Sequence, residues 1–402
     1  MVVLILTAVA LVDGAVIPKG DCVVSINSDL GDPQPLVLDG SSARPAFLYP
    51  VDGRGTLRIP SGEPLHLECP GKNNYLVNVG SNRTADVKAI CLGDKTFEVN
   101  ADRLEFSSLR CSKKTKGEAR VTGSKCLGKY TQVEVGFDLP KGFLRTMEIC
   151  RDDETYVTYY ARFSMTKSIL GSQKGYPRTS WSHGDFYDDH DLDNQYRRAS
   201  QIDTLSKILN STELGNFYVS KTTNYYFSRG HLTAKTDFVY GAAQWTTFWY
   251  LNSAPQWQTF NGGNWMMLEQ DVRAFASDRQ LDLEVYTGVH GQSTLPDVNG
   301  RPQLLYFYAS NGKRAFPVPK FFWKIIHDPI SERATAFVGV NDPYVTSLTE
   351  DYFICEDIGR KFRWLSWDPM DVAMGISYVC TVDDLRAAVP TVPRLPVTDI
   401  LV

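Results

Sequence analysis

Four pieces of one region carry the chemistry-bearing residues of the chain. They are Tyr225-Tyr226-Phe227-Ser228-Arg229-Gly230-His231-Leu232, Asn252-Ser253-Ala254-Pro255-Gln256-Trp257, Asn261-Gly262-Gly263-Asn264-Trp265, and Leu268-Glu269 closing at Arg273. The aromatic run before Ser228 is strand-like, so His231 is expected to end or follow a strand. From Asn264 to Ala276, Trp265, Leu268, Val272 and Phe275 recur at spacings of three, four and three. That stripe predicts an amphipathic helix, with Asn261 and Glu269 on it or at its start. The pieces combine one histidine, several amides, one carboxylate and two arginines. Arginines suit a phosphate, and a histidine beside an amide and a carboxylate suits a base near a hard, hydrated cation. Taken singly the residues say less. His231 alone is more often a satisfied buried histidine, and Asn261 before two glycines more often a turn or cap residue.

Around this region lies a chain of 402 residues, enough for two or three domains at roughly 150 residues each. With 43% hydrophobic and 22% charged residues it is globular, which excludes disordered and collagen-like classes. The formal charge of -4 disfavours a nucleic-acid packaging protein, which needs a cationic surplus, but not an enzyme that must release its product.

Val2–Val12 is almost wholly apolar and small residues follow at Gly14 and Ala15. Eleven apolar residues fall short of the roughly 20 that span a bilayer, so 1–15 reads as a secretory signal peptide. No membrane span is expected. Eight cysteines agree with export. Cys355 and Cys380 stand apart, in the strand-like runs DYFIC and ISYVC, and are expected to bond to each other. The other six fall between 22 and 150 and are expected to pair among themselves. Sequons at Asn82 and Asn210 are candidate glycosylation sites.

Residues 16–135 carry five of the cysteines and short apolar runs broken by Gly, Pro, Asn and Asp, the pattern of a small β-rich domain. Residues 136–395 form the second domain, with strands expected at Glu154–Phe163, Leu281–Thr287, Phe321–Ile326 and Ala334–Val340. The fold class is α+β. Lys113-Lys114-Thr115-Lys116 is a local basic stretch, readable as a solvated loop or as a phosphate contact. His183, His190 and the aspartates from Asp185 to Asp193 read as a solvated insertion loop rather than a metal cluster. His66, His290 and His327 read as structural.

The four pieces together resemble the DNA/RNA non-specific endonuclease family, the ββα-metal nucleases. The family pattern is D-R-G-H, then N-x-x-P-Q, then N-x-G-x-W-x-x-L-E with an Arg four residues on. The spacings agree: nine from Asn252 to Asn261, eight from Asn261 to Glu269, four from Glu269 to Arg273. The resemblance runs from about 145 to 385. It implies a central antiparallel sheet and a helix crossing it, preceded here by the disulfide-rich β domain. The Ser opening and the cysteine-rich N-terminal part resemble secreted arthropod members, among them a shrimp nuclease and insect gut enzymes that degrade double-stranded RNA.

The resemblance implies the following roles. His231 is the general base, and Asn261 is the one direct protein ligand of Mg²⁺, for which Mn²⁺ can substitute. Glu269 holds a water of the ion's shell, and Arg273 neutralises charge on the phosphate. Arg229 is part structural and part phosphate-orienting, Asn252 positions the site, and Arg178 contacts the phosphate. Trp257 can stack on a base or pack in the core. Ser228 stands where the family has Asp, which puts the motif's electrostatic support in question. The implied function is a secreted, extracellular (for gut enzymes, lumenal), sugar-non-specific endonuclease. Its substrate is nucleic acid, as double-stranded RNA, double-stranded DNA or single strands, without an obligate protein partner. A non-catalytic nucleic-acid-binding protein of the same fold is the alternative.

Overall fold

The computed structural model describes residues 20–80, 83–310 and 312–402. The expected signal peptide and the sequon asparagine Asn82 lie outside them. An antiparallel sheet of eight strands organises the larger part. Its order is Glu118–Cys126, Tyr130–Leu139, Gly142–Arg151, Thr158–Met165, Leu283–His290, Phe321–Asp328, Arg333–Val340 and Ser377–Cys380. Every residue of Phe321–Asp328 is buried, because both faces of the sheet are covered. On one face Phe322 meets Trp265 of the helix Asn264–Asp278 at 5.7 Å between ring centres. On the other, Trp323 and Ile325 pack in a second cluster with Val382 and Leu385 of the C-terminal helix Val382–Ala388.

The helix Asn264–Asp278 buries Trp265, Leu268, Val272 and Phe275, as their spacing predicts. Gly263 precedes it because the chain passes close to a neighbour: a Cβ there would lie 2.5 Å from the Thr259 carbonyl oxygen and 2.8 Å from the Met374 Cα. Asn264 then locks the helix start to the C-terminal loop, donating to the carbonyls of Asp368 and Gly375 at 2.6 and 2.7 Å.

The N-terminal part holds a five-stranded sheet in the order Leu36–Asp39, Pro64–Glu68, Asp86–Gly93, Thr96–Val99, Asp102–Glu105. Disulfides Cys22–Cys91 and Cys69–Cys111 staple it, and Cys126–Cys150 ties two strands of the large sheet. Cys355–Cys380 forms as expected, with Cα atoms 6.0 Å apart. The four bridges separate their partners by 24 to 69 residues, which in the chain-entropy account stabilises by about 3–4 kcal/mol each.

Three expectations need correction. The boundary at 135/136 falls inside the strand Tyr130–Leu139, and the large sheet already begins at Glu118. The sequence hid this because Glu118–Cys126 is a mostly exposed, polar edge strand. The run ending at Cys355 is not a strand. It is a turn over Glu350–Tyr352 and a loop in which the Ile354 N–H donates to the Tyr378 hydroxyl instead of to a ladder partner. The strand expected from Glu154 begins at Thr158, after a turn in which Asp152 N–H donates to the Val157 carbonyl and Tyr156 takes a left-handed φ of 60°.

Candidate active site

The strand Phe227–His231 ends on His231 and pairs antiparallel with Ser253–Trp257. A short helix, Gln258–Asn261, follows at once, and the crossing helix begins at Asn264. Two strands and two helices therefore carry Ser228, Arg229, His231, Gln256, Asn261, Glu269 and Arg273. Gly230 and Gln256 belong together: a Cβ on Gly230 would meet the Gln256 Oε1 at 2.4 Å, so the buried glutamine fits only over glycine.

Asn261 is the last residue of its short helix and half-buried. Its amide nitrogen donates to the Ser228 hydroxyl at 2.9 Å, and that hydroxyl donates to the Gln256 carbonyl at 3.0 Å. The Ser228 proton is thus committed, so its oxygen can only accept, and the amide must present nitrogen inward. The Asn261 Oδ1 is left with no protein partner among the described residues.

His231 is also half-buried. Its ring lies 4.7 Å from that of Trp181 and meets the Phe248 ring edgewise at 5.3 Å. The Nε2 atom is buried without a hydrogen-bond partner. Burial, with the Arg178 guanidinium adding to it, pushes the imidazole down to about 3. The ring is therefore neutral at physiological pH and able to accept a proton. Arg178 is exposed, sits 5.3 Å over Phe248, and makes no ion pair among the described residues.

Arg229 is held from three sides. Its Nε donates to the Tyr250 hydroxyl at 2.9 Å and its Nη2 to Asp193 at 2.9 Å, while it lies 4.7 Å over the Tyr196 ring. Tyr250 also donates to Asp193, at 2.6 Å. Asp193 belongs to the acidic stretch read as a solvated loop, whose aspartates are indeed exposed, and it adds one pairing the sequence did not show, to Arg229. Asp191 of the same stretch caps a helical turn, and His190 packs on Tyr308 and Phe316.

Glu269 has no hydrogen-bond partner among the described residues and lies in a cluster the sequence reading missed. Arg273 donates to Asp237 at 2.7 Å, where the side chains are 13% and 2% exposed. Buried Lys324 donates to Thr287 at 2.6 Å. Burial and the Asp237 carboxylate raise Glu269 to about 7, against the pull of Lys324 and Arg273. Asp237 also accepts from the Ala234 N–H, so the ion pair ties the segment leaving His231 to the crossing helix. Only its three-dimensional neighbours mark Asp237; nothing at its place in sequence does.

Two residues of the motif pieces are internal, Asn252 in a positioning place and Trp257 in the core. Asn252 is fully buried and spends its side chain on the Thr233 N–H and the Thr233 and Thr247 carbonyls, at 2.8, 2.8 and 3.0 Å. It fixes the turn after His231 and cannot reach a substrate. Trp257 is 1% exposed, packed on Phe227 at 4.0 Å and Tyr344 at 5.5 Å, so it cannot stack on a base. The strand puts its side chain on the core face, which the sequence left open.

The profile of the DNA/RNA non-specific endonucleases matches residues 131–385. The chain belongs to the DNA/RNA non-specific endonuclease family. Among family relatives it is similar to a salivary endonuclease of Lutzomyia longipalpis, 29% identical over 321 residues, spanning 80% of this chain and 69% of that protein. It is also similar to salivary protein Tsal2A of Glossina morsitans morsitans, 26% identical over 384 residues, spanning 93% of this chain and 92% of that one. Among solved structures, a chain of the EndoG/EndoGI inhibition complex aligns at a TM-score of 0.37 and 16% identity, covering 63% of this chain and 87% of that one.

The donor set of this family member suits a hard divalent cation. Asn261 offers one neutral oxygen and Glu269 one uncommitted carboxylate, and Mg²⁺ takes few protein oxygens while keeping most of its waters. Among the described residues no three of His, Cys, Asp and Glu gather as a multidentate site.

Proposed function

We propose that this chain is a secreted, Mg²⁺-dependent endonuclease that hydrolyses phosphodiester bonds of DNA and RNA, leaving 5′-phosphates. The observations that carry the reading are the unpartnered Nε2 of His231 at the end of its strand and an Asn261 whose amide is spent on Ser228, leaving its oxygen for a ligand. His231 takes the proton of the attacking water. A bound Mg²⁺ at Asn261 would supply Lewis-acid polarisation of the phosphate. Arg178 and Arg273 offset charge developing on the phosphate oxygens. An anionic phosphate beside Arg178 cancels part of the field that weakens His231, so the base strengthens when substrate is in place. Because water is the nucleophile, the 2′-hydroxyl is not needed, which is how one site serves both sugars.

Secretion is supported by the four disulfides, which persist in oxidising compartments, and by the salivary names of the relatives. No helix among the described residues is long and apolar enough to cross a membrane. The exposed Asn210, at the left-handed cap of the helix Arg198–Leu209, is the site proposed for glycosylation. The purified protein is to be incubated with double- and single-stranded DNA and RNA, in Mg²⁺ and in EDTA. Cleavage in Mg²⁺ alone is expected, and the four rates read out any preference for double-stranded RNA. Binding without cleavage in every condition would favour the non-catalytic alternative.

A further inference from the structure

The basic stretch Lys113-Lys114-Thr115-Lys116 is the connection between the N-terminal sheet and the large sheet. It is held firmly. Thr115 is buried, and its hydroxyl donates to the Gln34 carbonyl at 3.3 Å. Gly117 lies so close to the helix Gly241–Thr246 that a Cβ would meet a Thr246 methyl at 2.5 Å. With these two anchored, Lys113, Lys114 and Lys116 stand exposed on either side.

The stretch abuts the active-site rim through a short series of contacts. The Lys114 ammonium lies 5.4 Å over the Trp245 ring. Trp245 packs on Tyr176 at 5.2 Å, and its indole N–H donates to the Pro177 carbonyl at 2.7 Å. The next residue is Arg178, the exposed cation beside His231. Lys235 closes the series from the other side by donating to the Tyr176 carbonyl. Asp32 is the carboxylate whose field reaches Tyr176. Lys114, Arg178 and Lys235 are thus joined through Trp245 and the segment 176–178, and like charges held on one surface are costly unless an anion meets them. A fixed lysine row beside a phosphate-handling arginine fits the phosphates of a strand that continues past the cut.

We propose that Lys113, Lys114 and Lys116 form an accessory contact for the phosphate backbone of a nucleic-acid duplex, outside the scissile position, so that the N-terminal part of the chain helps grip long substrates. This rests on the nuclease reading above. The test measures binding of the full chain in EDTA to a duplex of about 24 base pairs and to one of about six, over a salt series. K113Q/K114Q/K116Q is compared with R360Q/K361Q. The latter removes exposed charge near the strand Ser377–Cys380, at the opposite edge of the large sheet from Glu118. Each lost phosphate contact lowers the salt slope by about 0.9. The triple variant should therefore lose about two to three in slope on the long duplex and little on the short one, with R360Q/K361Q like wild type. An unchanged slope, or equal loss in R360Q/K361Q, would overturn the accessory contact while leaving the nuclease reading intact. A wild-type protein that binds no duplex at any salt would overturn the accessory contact, whereas the nuclease reading falls only if no strand is cleaved in Mg²⁺.

Discussion

The Asn261 side chain donates its amide hydrogen to Ser228 across 33 residues of sequence, at 2.9 Å, and so leaves its oxygen without a protein partner among the described residues. Ser228 stands where the family pattern has Asp, and the structure gives the substitution a consequence. A hydroxyl whose own proton goes to the Gln256 carbonyl is an acceptor, as a carboxylate is, but an uncharged one. The orientation of the asparagine survives the change, and the extra negative charge does not.

Ser228→Ala should therefore free the amide to rotate. A neutral hydrogen bond of this kind contributes about 0.5–1.5 kcal/mol, so the Mg²⁺ concentration for half-maximal cleavage should rise up to about ten-fold. The rate at saturating Mg²⁺ should change less, and Ser228→Asp should keep the tight requirement. A Mg²⁺ titration of cleavage on the three proteins checks this, and an unaltered midpoint in Ser228→Ala would contradict it.

Glu269 sets an expectation for pH. Its acid form is favoured up to about 7, so without a cation it is half protonated near neutrality. A cation must displace that proton. Apparent Mg²⁺ affinity should therefore weaken as pH falls below about 7, and level off above it. His231, held down near 3, stays neutral throughout this window and does not contribute. Glu269→Gln should flatten the dependence, measured as the activation midpoint between pH 5.5 and 8.5.

Asp237→Asn should be costly to the fold. It leaves Arg273 and Lys324 buried against one remaining carboxylate, and removing one partner of a buried pair costs about 3–5 kcal/mol. Urea denaturation should show a lower midpoint at unchanged slope. The same substitution removes the repulsion that raises Glu269, so the pH dependence of activation should move to lower pH.

The spaced motif and the helical stripe were legible because they depend on local periodicity and on residue types at fixed offsets. Trp265 and Phe275 fall where period 3.6 puts them, and His231 ends its strand. Features fixed by distant chain segments were not legible. Asp237 meets Arg273 only after the turn at Asn252 folds back, and Asp193 reaches Arg229 from 36 residues away. Trp257 shows the same limit: strand alternation gives it a face, but only the packed Phe227 and Tyr344 show that the face is internal.

The most direct test of the central claim compares His231→Ala and Asn261→Ala over a Mg²⁺ titration, after confirming that both remain folded. Loss of a general base typically costs about 10²–10⁴ in rate, and no concentration of metal should restore it to His231→Ala. Loss of the Asn261 oxygen weakens cation binding, so high Mg²⁺ should partly rescue Asn261→Ala. Cleavage by His231→Ala at the wild-type rate, or RNA fragments ending in 2′,3′-cyclic phosphate, would contradict the account.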